Sequence, residues 1–134
     1  MNKFDHRAMH LKDDKKVVFT AMSKKLFYMR FLISKFVIEQ GAVPINPFTS
    51  FDYFMIDSVE RDEIRSANNV LVSRSDELWV FGPISDGVLA EILQAKEAGK
   101  PVRYFATKND KDIDEVDSKK VDFEKEVEDK KHLL

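Results

Sequence analysis

The stretch Glu77-Leu-Trp-Val-Phe-Gly-Pro-Ile-Ser-Asp-Gly-Val-Leu-Ala-Glu91 joins a short apolar, β-prone run to a turn punctuated by Gly82, Pro83 and Gly87, and then to a helix. Residues 78–81 form the strand. Ser85 or Asp86 caps the helix, Val88, Leu89, Ile92 and Ala95 give it an apolar face, and Gly99 with Pro101 ends it. A strand feeding a helix in this way is the repeating unit of a parallel α/β sheet, whose ligands gather beyond the carboxyl ends of the strands. Glu91 falls at the border of the apolar face, above the turn. It is there either as a site carboxylate or as an ordinary solvated helix residue.

Outward from this unit the alternation repeats. Residues 16–20 are β-branched enough for a first, central strand. Ser23 then caps a long helix that runs to Gln40 and stops at Gly41, with Leu26, Met29, Ile33, Phe36 and Val37 as its buried stripe and Phe27 and Phe31 widening it. Residues 42–46 give a second strand, short or near an edge because Pro44 cannot donate to a ladder. Asp57 or Ser58 caps another helix running toward Ser75, and residues 101–105 make a fourth strand. The sequence therefore predicts an α/β domain at 16–107, with three layers and a flavodoxin- or Rossmann-like parallel sheet of four to five strands in the order 2-1-3-4. An N-terminal arm (1–15) precedes it. A charged C-terminal segment (108–134) follows, either solvated or folded back as one docked helix or an exchanged arm. The aromatic-rich stretch 47–56 reads as a loop and short helix over the mouth of the sheet, or else as part of the core or of a subunit interface.

With 134 residues, 43% hydrophobic and 34% charged, the chain suits one core. A net charge of −2 offers no general footprint for nucleic acid, so any anion site is local. The absence of cysteine excludes disulfides and thiol chemistry, and fits a cytoplasmic setting. No apolar run approaches a membrane span, and the polar start is no signal peptide. His6 and His10 are four apart but lack a third ligand, so neither a metal nor another cofactor is expected.

In a doubly wound sheet the ends of the first and third strands flank the point where the strand order reverses, which brings residues 20–25 opposite 82–91. Thr20, Ser23, Gly82, Ser85, Asp86 and Gly87 are then the candidate lining. Two helix starts aim N–H groups into one crevice, where an anion such as a 5′-phosphate is favoured, with Lys24 or Lys25 adding charge.

The segment Ser85-Asp-Gly-Val-Leu-Ala-Glu91-Ile, ending in Ala98-Gly-Lys-Pro-Val102, resembles the signature of the nucleoside 2-deoxyribosyltransferase and nucleotide N-hydrolase superfamily. The resemblance spans about residues 16–106 and is specific mainly at 85–91. It implies that Glu91 is a nucleophile toward the anomeric carbon, forming a glycosyl-enzyme intermediate that water or an acceptor base resolves. Six residues before that glutamate the transferases carry an aspartate for the sugar 5′-hydroxyl and the monophosphate hydrolases a serine for phosphate; Ser85 matches the latter. Asp86 beside it opposes a phosphate unless its side chain turns away.

Two positions depart from the family. The aspartate that assists the leaving base is matched by Asn68, which can donate a hydrogen bond but cannot act as an acid. The first-strand tyrosine that contacts nucleophile and sugar is matched by Phe19, which leaves more room beside the sugar; Tyr28, Asp52, Tyr53 and Asp57 are the candidates to substitute in space. The expected function is thus an N-glycosidase of a nucleotide monophosphate or nucleoside, the alternative a non-catalytic nucleotide-binding module of the same fold. A homodimer or homotetramer is expected, since enzymes of this kind complete each pocket from a neighbouring subunit.

Overall fold

Alternate residues of each central strand are apolar on both faces, so the sheet must be covered on both sides. The computed structural model describes residues 3–51, 55, 57–109 and 111–134. Five strands, β1 (Val17–Met22), β2 (Val43–Ile45), β3 (Glu77–Phe81), β4 (Val102–Lys108) and β5 (Asp112–Val116), form one sheet in the order β2-β1-β3-β4-β5. The first three pairings are parallel and β4–β5 is antiparallel. This is the three-layer α/β fold the sequence predicts, with strands 2-1-3-4 in the predicted order. The antiparallel edge strand comes from the charged segment expected to be solvated or helical. Edge placement suits it, because a strand reading Asp-Ile-Asp-Glu-Val needs only one protected face.

Among the described residues the α-helices are α1 (Arg30–Glu39), α2 (Pro47–Ser50), α3 (Arg61–Arg74) and α4 (Asp86–Glu97), and 3-10 turns include Lys125–Leu133 at the C-terminus. On one side of the sheet Val18 and Met22 of β1, Trp79 and Phe81 of β3 and Phe105 of β4 pack with Leu26, Met29, Ile33 and Val37. Phe36 stacks edge-on against Trp79, Phe81 and Phe105, with centroids 6.4, 6.2 and 5.4 Å away. On the other side Phe19, Ala21, Leu78, Val80 and Tyr104 meet Val88, Leu89, Ile92 and Ala95 of α4. The period-2 alternation of β1 and β3 divides their side chains between the two cores.

Two helix expectations need correction. The element after Ser23 is not one long α-helix: a 3-10 segment, Lys24–Met29, turns into α1 at Arg30. Phe31 stands two residues from both Met29 and Ile33, on the opposite face of the helix, and is 74% exposed rather than widening the stripe. The cap of α3 is Glu60, whose side chain accepts from the Asp62 N–H, rather than Asp57 or Ser58.

Beyond β5 the chain returns across the carboxyl edge of the sheet. Ile84 N–H donates to Asp122 O, and Glu124 N–H donates to Ile84 O, each at 2.8 Å. Val121 and Val127 are buried in the α4-side core. The approach of Val121 requires Gly82, because a Cβ there would lie 2.7 Å from Val121 Cγ2. Gly82→Ala should therefore destabilise the protein by about 1–3 kcal/mol, read as a lower urea midpoint. In Gly82→Ala/Val121→Ala the clash is gone, so the double variant should lose less than the two single losses added together.

Candidate active site

The order of strands reverses at β1, and the cleft lies where that rule places ligands, at the carboxyl ends of β1 and β3. Its volume is about 730 Å³, within the range of small-molecule sites. The end of β1 contributes Met22 and Ser23; α2 contributes Pro47 and Phe48; α3 contributes Ile64, Asn68 and Asn69; α4 contributes Ser85 through Val88, Glu91 and Gln94. Apolar side chains such as Met22, Pro47, Phe48 and Ile64 thus share the cleft with polar ones such as Asn68, Asn69, Glu91 and Gln94. Phe48 and Phe51 of the aromatic stretch line the cleft, and Phe48 packs edge-on against Phe27 at 5.8 Å.

Glu91 points into the cleft rather than to bulk solvent. Its Oε2 accepts from Asn68 Nδ2 at 2.6 Å across the α3–α4 interface, and one turn on, Gln94 Nε2 donates to Asn69 Oδ1 at 3.0 Å. Burial between the helices pushes the Glu91 carboxyl up from its ordinary 4.5 to about 7, and the Asn68 hydrogen bond opposes the shift by favouring the charged form. At neutral pH the group is divided between carboxylate and acid.

Ser85 is the N-cap of α4, its hydroxyl accepting from Val88 N–H at 3.3 Å. Asp86 turns back onto its neighbour, Oδ1 accepting from Gly87 N–H at 2.7 Å. Ser23 Oγ accepts from Lys25 N–H at 3.2 Å. The start after Ser23 is a six-residue 3-10 segment, so its dipoles align less well than those of α4.

Three predicted lining residues are elsewhere. Phe19 is fully buried in the α4-side core, because odd positions of β1 face α4 beneath the cleft. Thr20 is fully buried and donates its hydroxyl to Ile45 O at 3.1 Å, tying β1 to β2. Gly82 is covered by Val121. Of the proposed spatial substitutes, Tyr28 and Asp57 are exposed and outside the cleft lining, and Asp52 and Tyr53 lie outside the described residues.

The residues that sequence reasoning missed are Arg61, Arg65, Glu124 and Glu126. Glu124 is the most constrained, 8% exposed, with Lys25 Nζ 3.6 Å from its Oε1 and its buried Oε2 unpartnered. The apolar points Val121, Phe123 and Val127 signalled that this segment could dock. They did not say which carboxylate would be carried inward. Among the described residues no group of three or more His, Asp or Glu is placed to hold a metal, and no helix is long and apolar enough to cross a membrane.

Because Glu91 binds its proton more tightly folded than unfolded, the stability it confers is present below about pH 4.5 and is lost as pH rises toward about 7. Glu91→Gln removes that penalty and can still accept from Asn68. Its melting temperature should match the wild type within about 2 °C at pH 4.5 and exceed it by roughly 5–12 °C at pH 8; differential scanning calorimetry across that range checks the sign.

No curated protein matches the chain. A family described as a domain of unknown function (DUF7768) matches residues 20–105, a span running from β1 through α4 into β4 and so containing Asn68, Ser85 and Glu91. With well over half of its length matched, the chain belongs to the family described as a domain of unknown function, DUF7768.

Proposed function

We propose that the protein is an N-glycosidase acting on the base–sugar bond of a nucleoside or its monophosphate, with Glu91 as nucleophile. The observation that carries this reading is the Glu91 carboxyl in a cleft of nucleoside size, held by Asn68 at 2.6 Å. The Ser85–Glu91 resemblance adds to it.

In this mechanism a Glu91 oxygen attacks the anomeric carbon as the C–N bond breaks, and the base leaves with the bonding pair. The result is a glycosyl ester on Glu91, which water or a second base then displaces. Asn68 orients the attacking carboxylate and stabilises its charge, but has no acidic proton to give. The departing base therefore takes its proton from solvent. Phe48 and Phe51 supply apolar surface suited to a base.

Only the ionised carboxylate attacks, so kcat/KM should rise with pH to half its plateau near pH 7. Chromatography of base released from a panel of nucleosides and 5′-monophosphates measures this directly. Glu91→Gln should lower release by at least about 1,000-fold. Asn68→Ala removes the hydrogen bond that favours the charged form, so its pH limb should move upward. Ligand-induced thermal stabilisation without base release in the wild type would instead assign a non-catalytic nucleotide-binding module.

A further inference from the structure

The crevice beside the α4 start already contains an anion supplied by the chain itself. Glu124 arrives there because the pairing of residues 122 and 124 with Ile84 sets it next to Ser85, the α4 cap. Its side chain lines the cleft yet is 6% exposed. One carboxylate oxygen, Oε2, is buried without a hydrogen-bond partner. The other faces Lys25 at 3.6 Å, longer than a hydrogen bond. A buried carboxylate so poorly satisfied is an acceptor waiting for a donor.

We infer that Glu124 is the specificity-determining residue at the polar end of the cleft: it accepts a hydrogen bond from a hydroxyl of the ligand and disfavours a phosphate there. The inference rests on the nucleoside reading of the site and narrows it to the unphosphorylated substrate. It reverses the preference that Ser85 alone suggested. Ser85 accepts from Val88 N–H and keeps one neutral O–H donor, while the Asp86 carboxylate occupies Gly87 N–H and adds a negative charge, so the α4 start offers a phosphate one hydroxyl and the helix dipole. The cleft cations do not restore the balance. Lys25 already faces Glu124, Arg65 pairs with Asp62 at 2.8 Å, and Lys24 and Arg61 stand exposed at the rim, where water and salt screen them. A carboxylate withdrawn from solvent is screened less, so its repulsion of a dianion outweighs their attraction. A rotation about the terminal torsion of Glu124, which is soft, turns either oxygen to the ligand.

The test is isothermal titration of the full chain with matched pairs of nucleosides and their 5′-monophosphates. Glu91→Gln serves as the common background, so that no ligand is consumed. Nucleosides should bind at least 10-fold tighter than their monophosphates. Adding Glu124→Gln, which keeps the shape and removes the charge, should shrink or invert that ratio by at least 10-fold, chiefly through tighter monophosphate binding. Adding Glu124→Asp, which keeps the charge, should preserve the nucleoside preference. Equal or tighter monophosphate binding with Glu124 intact overturns the inference, as does a Glu124→Gln effect that is the same for both ligands. Base release is measured separately on the wild type. Binding with the stated preference but without turnover would remove the glycosidase reading and leave this one standing, whereas no binding of any pair removes both.

Discussion

Everything in the cleft depends on the parallel pairing of β1 with β3, from Val18 opposite Glu77 to Met22 opposite Phe81. Parallel neighbours both emit their chains at the same edge, so the segments after Met22 and Phe81 leave side by side. With β2 on the outer side of β1 and β4 on the outer side of β3, the connections diverge and a crevice opens between them. The register is held at its amino end as well: Val17 N–H donates to Asp76 Oδ2 at 2.8 Å, and Lys16 Nζ to Glu77 Oε2 at 2.7 Å. A slip of one residue would exchange Val18, Thr20 and Met22 for Phe19 and Ala21 on the wrong face.

Upon that frame α3 and α4 close one wall. Their interface is unusual in being polar at its upper end, where Asn68 meets Glu91 and Asn69 meets Gln94, and apolar below, where Ile92 and Ala95 are fully buried. The hydrophobic part supplies the adhesion. The polar part leaves a carboxyl group withdrawn from water with one amide donor, the source of its raised pKa. Burial makes the charge of this carboxylate costly, and Asn68 offsets part of that cost.

The C-terminal segment changes the character of the site. Its charge density describes a solvated tail, yet three features tie it down: the β4–β5 ladder, the Arg103–Glu115 fork with nitrogens 2.9 and 2.7 Å from the carboxylate oxygens, and the burial of Val121 and Val127. Few apolar residues suffice because each enters a gap that already exists, over Gly82 and beside α4. The consequence is electrostatic. To a crevice that already holds the positive end of α4, Lys24, Lys25, Arg61 and Arg65, with the carboxyl groups of Asp86 and Glu91, this segment adds Glu124 and Glu126.

The sequence by itself determined the strand–helix alternation and the helical position of Glu91, because these follow from local periodicity and turn chemistry within windows of a dozen residues. The order of the four parallel strands was expected from the usual doubly wound topology, and the structure chose Ser85 over Asp86 as the cap. Asn68 was legible only through the resemblance, and its contact with Glu91 joins residues 23 apart in sequence. Tertiary structure alone decided that Phe19 and Thr20 face inward, since the face a strand residue takes depends on which partner strands and helices cover it. It alone decided that the tail forms an edge strand and delivers Glu124 to the cleft. A charged residue is brought inside not by its own preference but by the burial of its apolar neighbours, and that exchange is settled only when the two distant surfaces meet.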